Sequence, residues 1–75
     1  MQKNTMLKVT VDVDTHIREM QVHAIRLPEI FDQHNVLEIM DEETGELLYY
    51  DAEIPGDCDY IAPAMLEFFR QIGEI

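Results

Sequence analysis

The sequence predicts an α+β fold: one small two-layer domain spanning residues 1–75, in which an antiparallel sheet of about four strands is covered on one face by a C-terminal helix, in chain order β-β-(short α)-β-β-α. Three patterns carry that reading. Apolar and polar residues alternate from Met6 to Asp14, residues 36–51 (VLEIMDEETGELLYYD) are two apolar runs around a turn, and residues 59–72 repeat apolar side chains at helical spacing. A chain of 75 residues buries only about 60% of its unfolded surface, so one sheet and one covering layer are all it can support.

Residues 1–5 are a polar start expected to fray. Leu7, Val9, Val11 and Val13 then share one face of a strand, with Lys8, Thr10, Asp12 and Asp14 on the other. Asp14, Thr15 and His16 read as a turn into a second strand, Ile17 to Leu27, in which Met20, Val22 and Ala24 keep one phase while Ile25 and Leu27 need the other. A bulge near Ala24 reconciles them. Pro28 suits the first turn of a short helix over residues 28–34, with Glu29 and Asp32 near its N-terminus and Ile30 and Phe31 as its buried contacts.

Residues 36–51 form a hairpin because Gly45 enters a positive-φ conformation without steric cost. Register then decides the faces. An even loop puts Leu37, Ile39, Leu48 and Tyr50 on one wholly apolar face and Val36, Met40, Leu47 and Tyr49 on the other, interrupted by Glu38 and Asp51. Pro55 and Gly56 suit a type II turn. Within residues 59–72, Ile61, Met65, Phe68 and Ile72 form the helical stripe, widened by Ala64 and Phe69, and Gly73 ends it. Asp59 is a good N-cap, but Pro63 disfavours helical geometry at Ala62, so the regular helix can start as late as Pro63. The expected core is Leu7, Val9, Val11, Val22, Leu37, Ile39, Leu48, Tyr50, Ile61, Met65, Phe68 and Ile72.

Charge is the most informative feature of the composition. Sixteen acids against five bases give a formal net charge of −11. Residues 1–27 hold four bases and three acids, residues 28–75 one base and thirteen acids, and between Glu29 and Asp59 there are eleven acids and no base. With 47% apolar residues the chain is too hydrophobic to be disordered, so these acids belong to one strongly negative region of a folded domain. Such a surface disfavours direct contact with nucleic acid or an anionic membrane. No apolar run approaches the roughly 18 residues of a membrane span and the start resembles no secretory signal, which together predict a soluble, cytoplasmic protein. The single cysteine, Cys58, cannot form an internal disulfide, and its neighbours Asp57 and Asp59 disfavour the thiolate.

No catalytic or metal signature emerges. The acidic turn DEETGE fails the twelve-residue calcium loop, since counting from Asp41 places Gly45 fifth and Ala52 twelfth; a weak divalent-cation site is the most it offers. His16, His23 and His34 lack zinc-ligand spacing, and the chain has no serine. The expectation is therefore a protein without cofactor or metal and not an enzyme: a small acidic module that binds a basic-surfaced protein. In its sharper form it is an inhibitor that mimics nucleic acid, its strand-spaced carboxylates able to form ordered rows, by analogy with the small acidic inhibitors that phages often make. The residues expected to meet that partner are Glu38, Asp41, Glu42, Glu43, Glu46, Leu47, Tyr49, Asp51 and Glu53. The competing expectation is a structural subunit or homodimer, joined through the greasy face of Val36, Met40, Leu47 and Tyr49, whose acids only confer solubility.

Overall fold

A computed structural model of the chain describes residues 1–51 and 60–73. The N-terminal alternation becomes β1, Met6–Val13, with Leu7, Val9 and Val11 buried. Asp14 and Thr15 both take positive φ, 51° and 68°, the two-residue turn whose twist matches that of the strands it joins. Strand β2, His16–His23, returns antiparallel, with His16 opposite Val13 and Val22 opposite Leu7.

The expected continuation of β2 to Leu27 through a bulge gives way to a different device. A 3-10 turn, Ala24–Arg26, leads straight into α1, Leu27–Gln33. Helical geometry at this point brings residues three apart to the same side, so Ala24, Leu27 and Ile30 are buried while Ile25 is left in solvent. Residues 1–5, expected to fray, carry main-chain bonds to this turn: Ala24 donates to the Thr5 carbonyl and Ile25 to that of Lys3, both at 2.9 Å.

Strand β3, Asn35–Asp41, pairs with the other side of β1, Ile39 opposite Val9. Strand β4, Leu47–Tyr50, pairs with β3, and a fifth strand, β5, Tyr60–Ile61, pairs with β4. The order across the sheet is β2-β1-β3-β4-β5, with an eight-residue strand at one edge and a two-residue strand at the other. Tyr60 and Ile61 thus belong to the sheet, not to the last helix. Ala62 continues the ladder by donating to the Leu48 carbonyl at 2.9 Å, extended as residues before proline tend to be, and α2 runs Pro63–Gln71. The turn expected at Pro55 and Gly56, Cys58 and the Asp59 cap lie outside the described residues.

Two single-residue bulges set the faces. The even loop, residues 42–45, is present: Asp41 donates to the Glu46 carbonyl and Gly45 to that of Asp41, both at 2.9 Å, with Gly45 at φ 75°. Met40 accordingly faces Leu47. Ile39, however, faces Tyr49, because Leu48 is an extra residue in β4; likewise Leu37 is extra in β3, between Glu38 opposite Thr10 and Val36 opposite Val11. The shared face expected of Leu37, Ile39, Leu48 and Tyr50 is therefore corrected. Tyr49 turns to the helix side and Tyr50 away from it.

Both helices lie on that one side. Phe31 of α1 meets Tyr49 and, from α2, Phe69 edge to face, with ring centroids 5.4 and 5.7 Å apart. Of the expected core, Leu7, Val9, Val11, Val22, Ile39, Leu48, Met65 and Phe68 are buried. Leu37 and Ile72 are half-buried, and Tyr50 and Ile61 are exposed. Ala24, Leu27, Ile30, Val36, Ala62 and Phe69 complete the core.

Candidate functional site

The sheet face away from the helices is built by cross-strand neighbours. One row reads Glu19, Thr10, Glu38, Tyr50, Tyr60 from β2 to β5; the next reads Gln21, Lys8, Met40, Leu47. At the β3–β5 end the row members are apolar and uncovered: Tyr50 is 43% exposed, Tyr60 44% and Leu47 37%. Met40 and Glu38 beside them are half-buried. The Glu38 carboxylate makes no hydrogen bond or ion pair among the described residues.

The acidic turn lies next to this patch, and its carboxylates have different jobs. Asp41 Oδ1 accepts the Glu43 and Thr44 amides at 2.8 and 3.1 Å, and Thr44 Oγ1 accepts the Glu46 amide at 3.2 Å, so these side chains hold the turn in shape. Glu42 is anchored twice, its amide donating to the Met6 carbonyl at 3.1 Å and its Oε1 accepting from Gln21 Nε2 at 2.9 Å. The side chains of Glu43 and Glu46 form no such bond and are exposed. Two ion pairs, Arg26 with Glu29 at 3.3 Å and Arg70 with Glu67 at 4.0 Å, are solvent-exposed and lie elsewhere.

Of the residues expected to meet a partner, Glu38 and Leu47 are on the open face, and Asp41, Glu42, Glu43 and Glu46 surround its edge at the turn. Asp51 follows β4, its amide donating to the Leu37 carbonyl at 2.9 Å. Tyr49 is the correction: the bulge at Leu48 carries it into the aromatic cluster with Phe31 and Phe69. Glu53 lies outside the described residues. The structure also places Met40, Tyr50 and Tyr60 on that open face. Tyr50 is the next residue along, but its exposure depends on the bulge and its neighbour Tyr60 on a strand inside the stretch read as helix.

Among the described residues no group of three or more His, Cys, Asp or Glu side chains could hold a metal ion, and no helix is long and apolar enough to cross a membrane. A shallow cleft lined by Met1, Thr5, Asp41, Glu46, Leu48 and Ala64 brings neither a thiol nor an imidazole to its carboxylates. No protein-family model, curated protein or solved structure gives a significant match to this chain.

Proposed function

We propose that this chain is a non-enzymatic module that binds a protein with a basic surface, using the open face of β3, β4 and β5 and the acidic turn beside it. The observation that carries the reading is the pairing of an uncovered apolar patch, Leu47, Tyr50 and Tyr60, with carboxylates that no cation of the described residues neutralises. A solvated sheet face needs no exposed tyrosine pair. An interface uses such a patch as its anchor and the surrounding charges to steer approach.

The arrangement favours a mixed apolar and acidic interface over a nucleic-acid mimic. A mimic needs carboxylates in unbroken rows, whereas Glu38 alternates with Met40 along β3 and is followed by two tyrosines across the sheet. Competition by duplex DNA for the captured partner separates the two.

Charge and patch make different kinetic predictions. Glu43→Lys/Glu46→Lys alters two carboxylates that hold no structural bond, and should slow association about tenfold at low salt, with the deficit fading at 0.5 M NaCl. Tyr50→Ala should instead speed dissociation about tenfold. The measurement is a kinetic binding series on the protein that the immobilised chain retains from its native cell extract. A charge-reversed variant that associates at the wild-type rate, with no salt dependence, sinks the proposal.

A further inference from the structure

Resting on that reading, we infer that the open face holds an arginine side chain of the partner, its guanidinium hydrogen-bonded to the Glu38 carboxylate and stacked on the Tyr50 ring, with Tyr60 extending the platform. Glu38 faces Tyr50 across β3 and β4, and Tyr50 faces Tyr60 across β4 and β5. Directly opposed residues have Cβ atoms about 4.5–5.5 Å apart, so a carboxylate and two phenol rings stand in one row roughly 10 Å long.

The chemistry of that row selects its occupant. Glu38 is half-buried and unpartnered among the described residues, and a carboxylate that has given up part of its water gains most from a charged donor. The nearest base on this face, Lys8, lies opposite Met40, one diagonal away, and forms no ion pair. The tyrosine faces attract a cation as well. A guanidinium satisfies both at once, since it is planar, stacks on an aromatic ring and presents parallel N–H groups to a carboxylate; an ammonium does one or the other. Met40 and Leu47 in the adjoining row give the arginine stem or a neighbouring aliphatic side chain an apolar floor.

A second copy of this chain does not fit the same face. The face carries Asp12, Glu19 and Glu38 against one base, Lys8, so two copies docked on it would gather acids in excess of bases within a Debye length of about 8 Å at physiological salt. Nor do its own arginines supply the ligand. Arg26 and Arg70 are engaged with Glu29 and Glu67, and Arg18, opposite Val11, is on the helix side of the sheet.

The test uses the intact chain and a neutral ten-residue peptide with one central arginine, alongside versions carrying citrulline or lysine there. The chain has three tyrosines and no tryptophan, two of them in this row, so ring resonances report binding directly. The arginine peptide should shift the Tyr50 and Tyr60 rings but not Tyr49, with citrulline about tenfold weaker and lysine intermediate. Glu38→Gln and Tyr50→Ala should each weaken it about tenfold, Tyr50→Phe and Glu43→Gln by less than about twofold. Tyr50 is exposed, so its variants keep the fold, which the amide spectrum verifies. Three results overturn the inference: equal affinity for the three peptides, wild-type affinity in both Glu38→Gln and Tyr50→Ala, or no shift at about 5 mM peptide. A dimer that Tyr50→Ala dissociates in sedimentation would give the face to a second copy and overturn it too. In each case salt-dependent retention of a basic protein, with its Glu43→Lys/Glu46→Lys response, judges the broader reading separately.

Discussion

Asp14 and Thr15 hold the first hairpin turn at positive φ, a region that costs an L-residue roughly 1–2 kcal/mol and that asparagine and glycine enter more cheaply. Asp14→Asn/Thr15→Gly should therefore stabilise the fold by about 1 kcal/mol in urea denaturation, the gain being smaller than the strain because glycine also loosens the unfolded chain. A loss would mean that Thr15 makes contacts that outweigh its backbone strain. At the second turn the relevant property of Asp41 is its acceptor oxygen. Asp41→Ala strips the Glu43 and Thr44 amides of their partner and should cost about 1 kcal/mol, whereas Asp41→Asn keeps an acceptor and should cost a few tenths. Equal losses in the two variants would assign the effect to charge. Turn positions were legible from Gly45 and the polar run around it, but the division of labour among the acids was not. Asp41 builds the turn, Glu42 ties it to β2, and Glu43 and Glu46 face solvent, and composition makes all four alike.

Phe68 of α2 is fully enclosed beneath the sheet, and Phe68→Ala should cost about 3–5 kcal/mol, enough to unfold much of a domain this small. Tyr50→Ala should cost under about 1 kcal/mol, as surface changes do. The comparison by denaturant titration reads the register: in the unbulged hairpin Tyr50 would be a core residue and the two losses would be similar. Strand β1 and the stripe of α2 were legible because alternation and helical spacing persist over several repeats. The bulges were not, because Leu37 and Leu48 each sit in an apolar run that reads as strand in either phase. One inserted residue exchanged Tyr49 with Tyr50, and with it a half-buried position under the helices with an exposed one on the open face. The 3-10 turn at Ala24–Arg26 hid in the same way, since two phases of apolar residues describe a bulge as well as a helical turn. Strand β5 was masked by its overlap with the periodicity of α2.

At the scale of the molecule, the acids dominate. Those of β3 and the following turn crowd one end of the sheet without intramolecular cations among the described residues, so their repulsion opposes folding and added salt should relieve it. The melting temperature should rise by several degrees between low salt and 0.5 M NaCl, about 4–8 °C for each kcal/mol relieved; a flat response would mean the repulsion is already compensated. The polarity of charge along the chain was legible by counting, whereas the meeting of Glu38 with Tyr50 and Tyr60 required the strand order. The unequal edges of the sheet carry a further consequence. A two-residue turn makes the Val13 and His16 pair exchange both main-chain bonds, so His16, Arg18, Met20 and Val22 bond inward to β1, while Ile17, Glu19, Gln21 and His23 direct their amides and carbonyls outward. This eight-residue edge can template another strand; the opposite edge, among the described residues, is Tyr60–Ile61 and offers two residues. Lateral growth is consequently one-sided. Two copies joined at β2 consume both long edges and leave, among the described residues, only two-residue stubs, so such assembly terminates at a pair and lacks the repeating contact from which a fibril propagates.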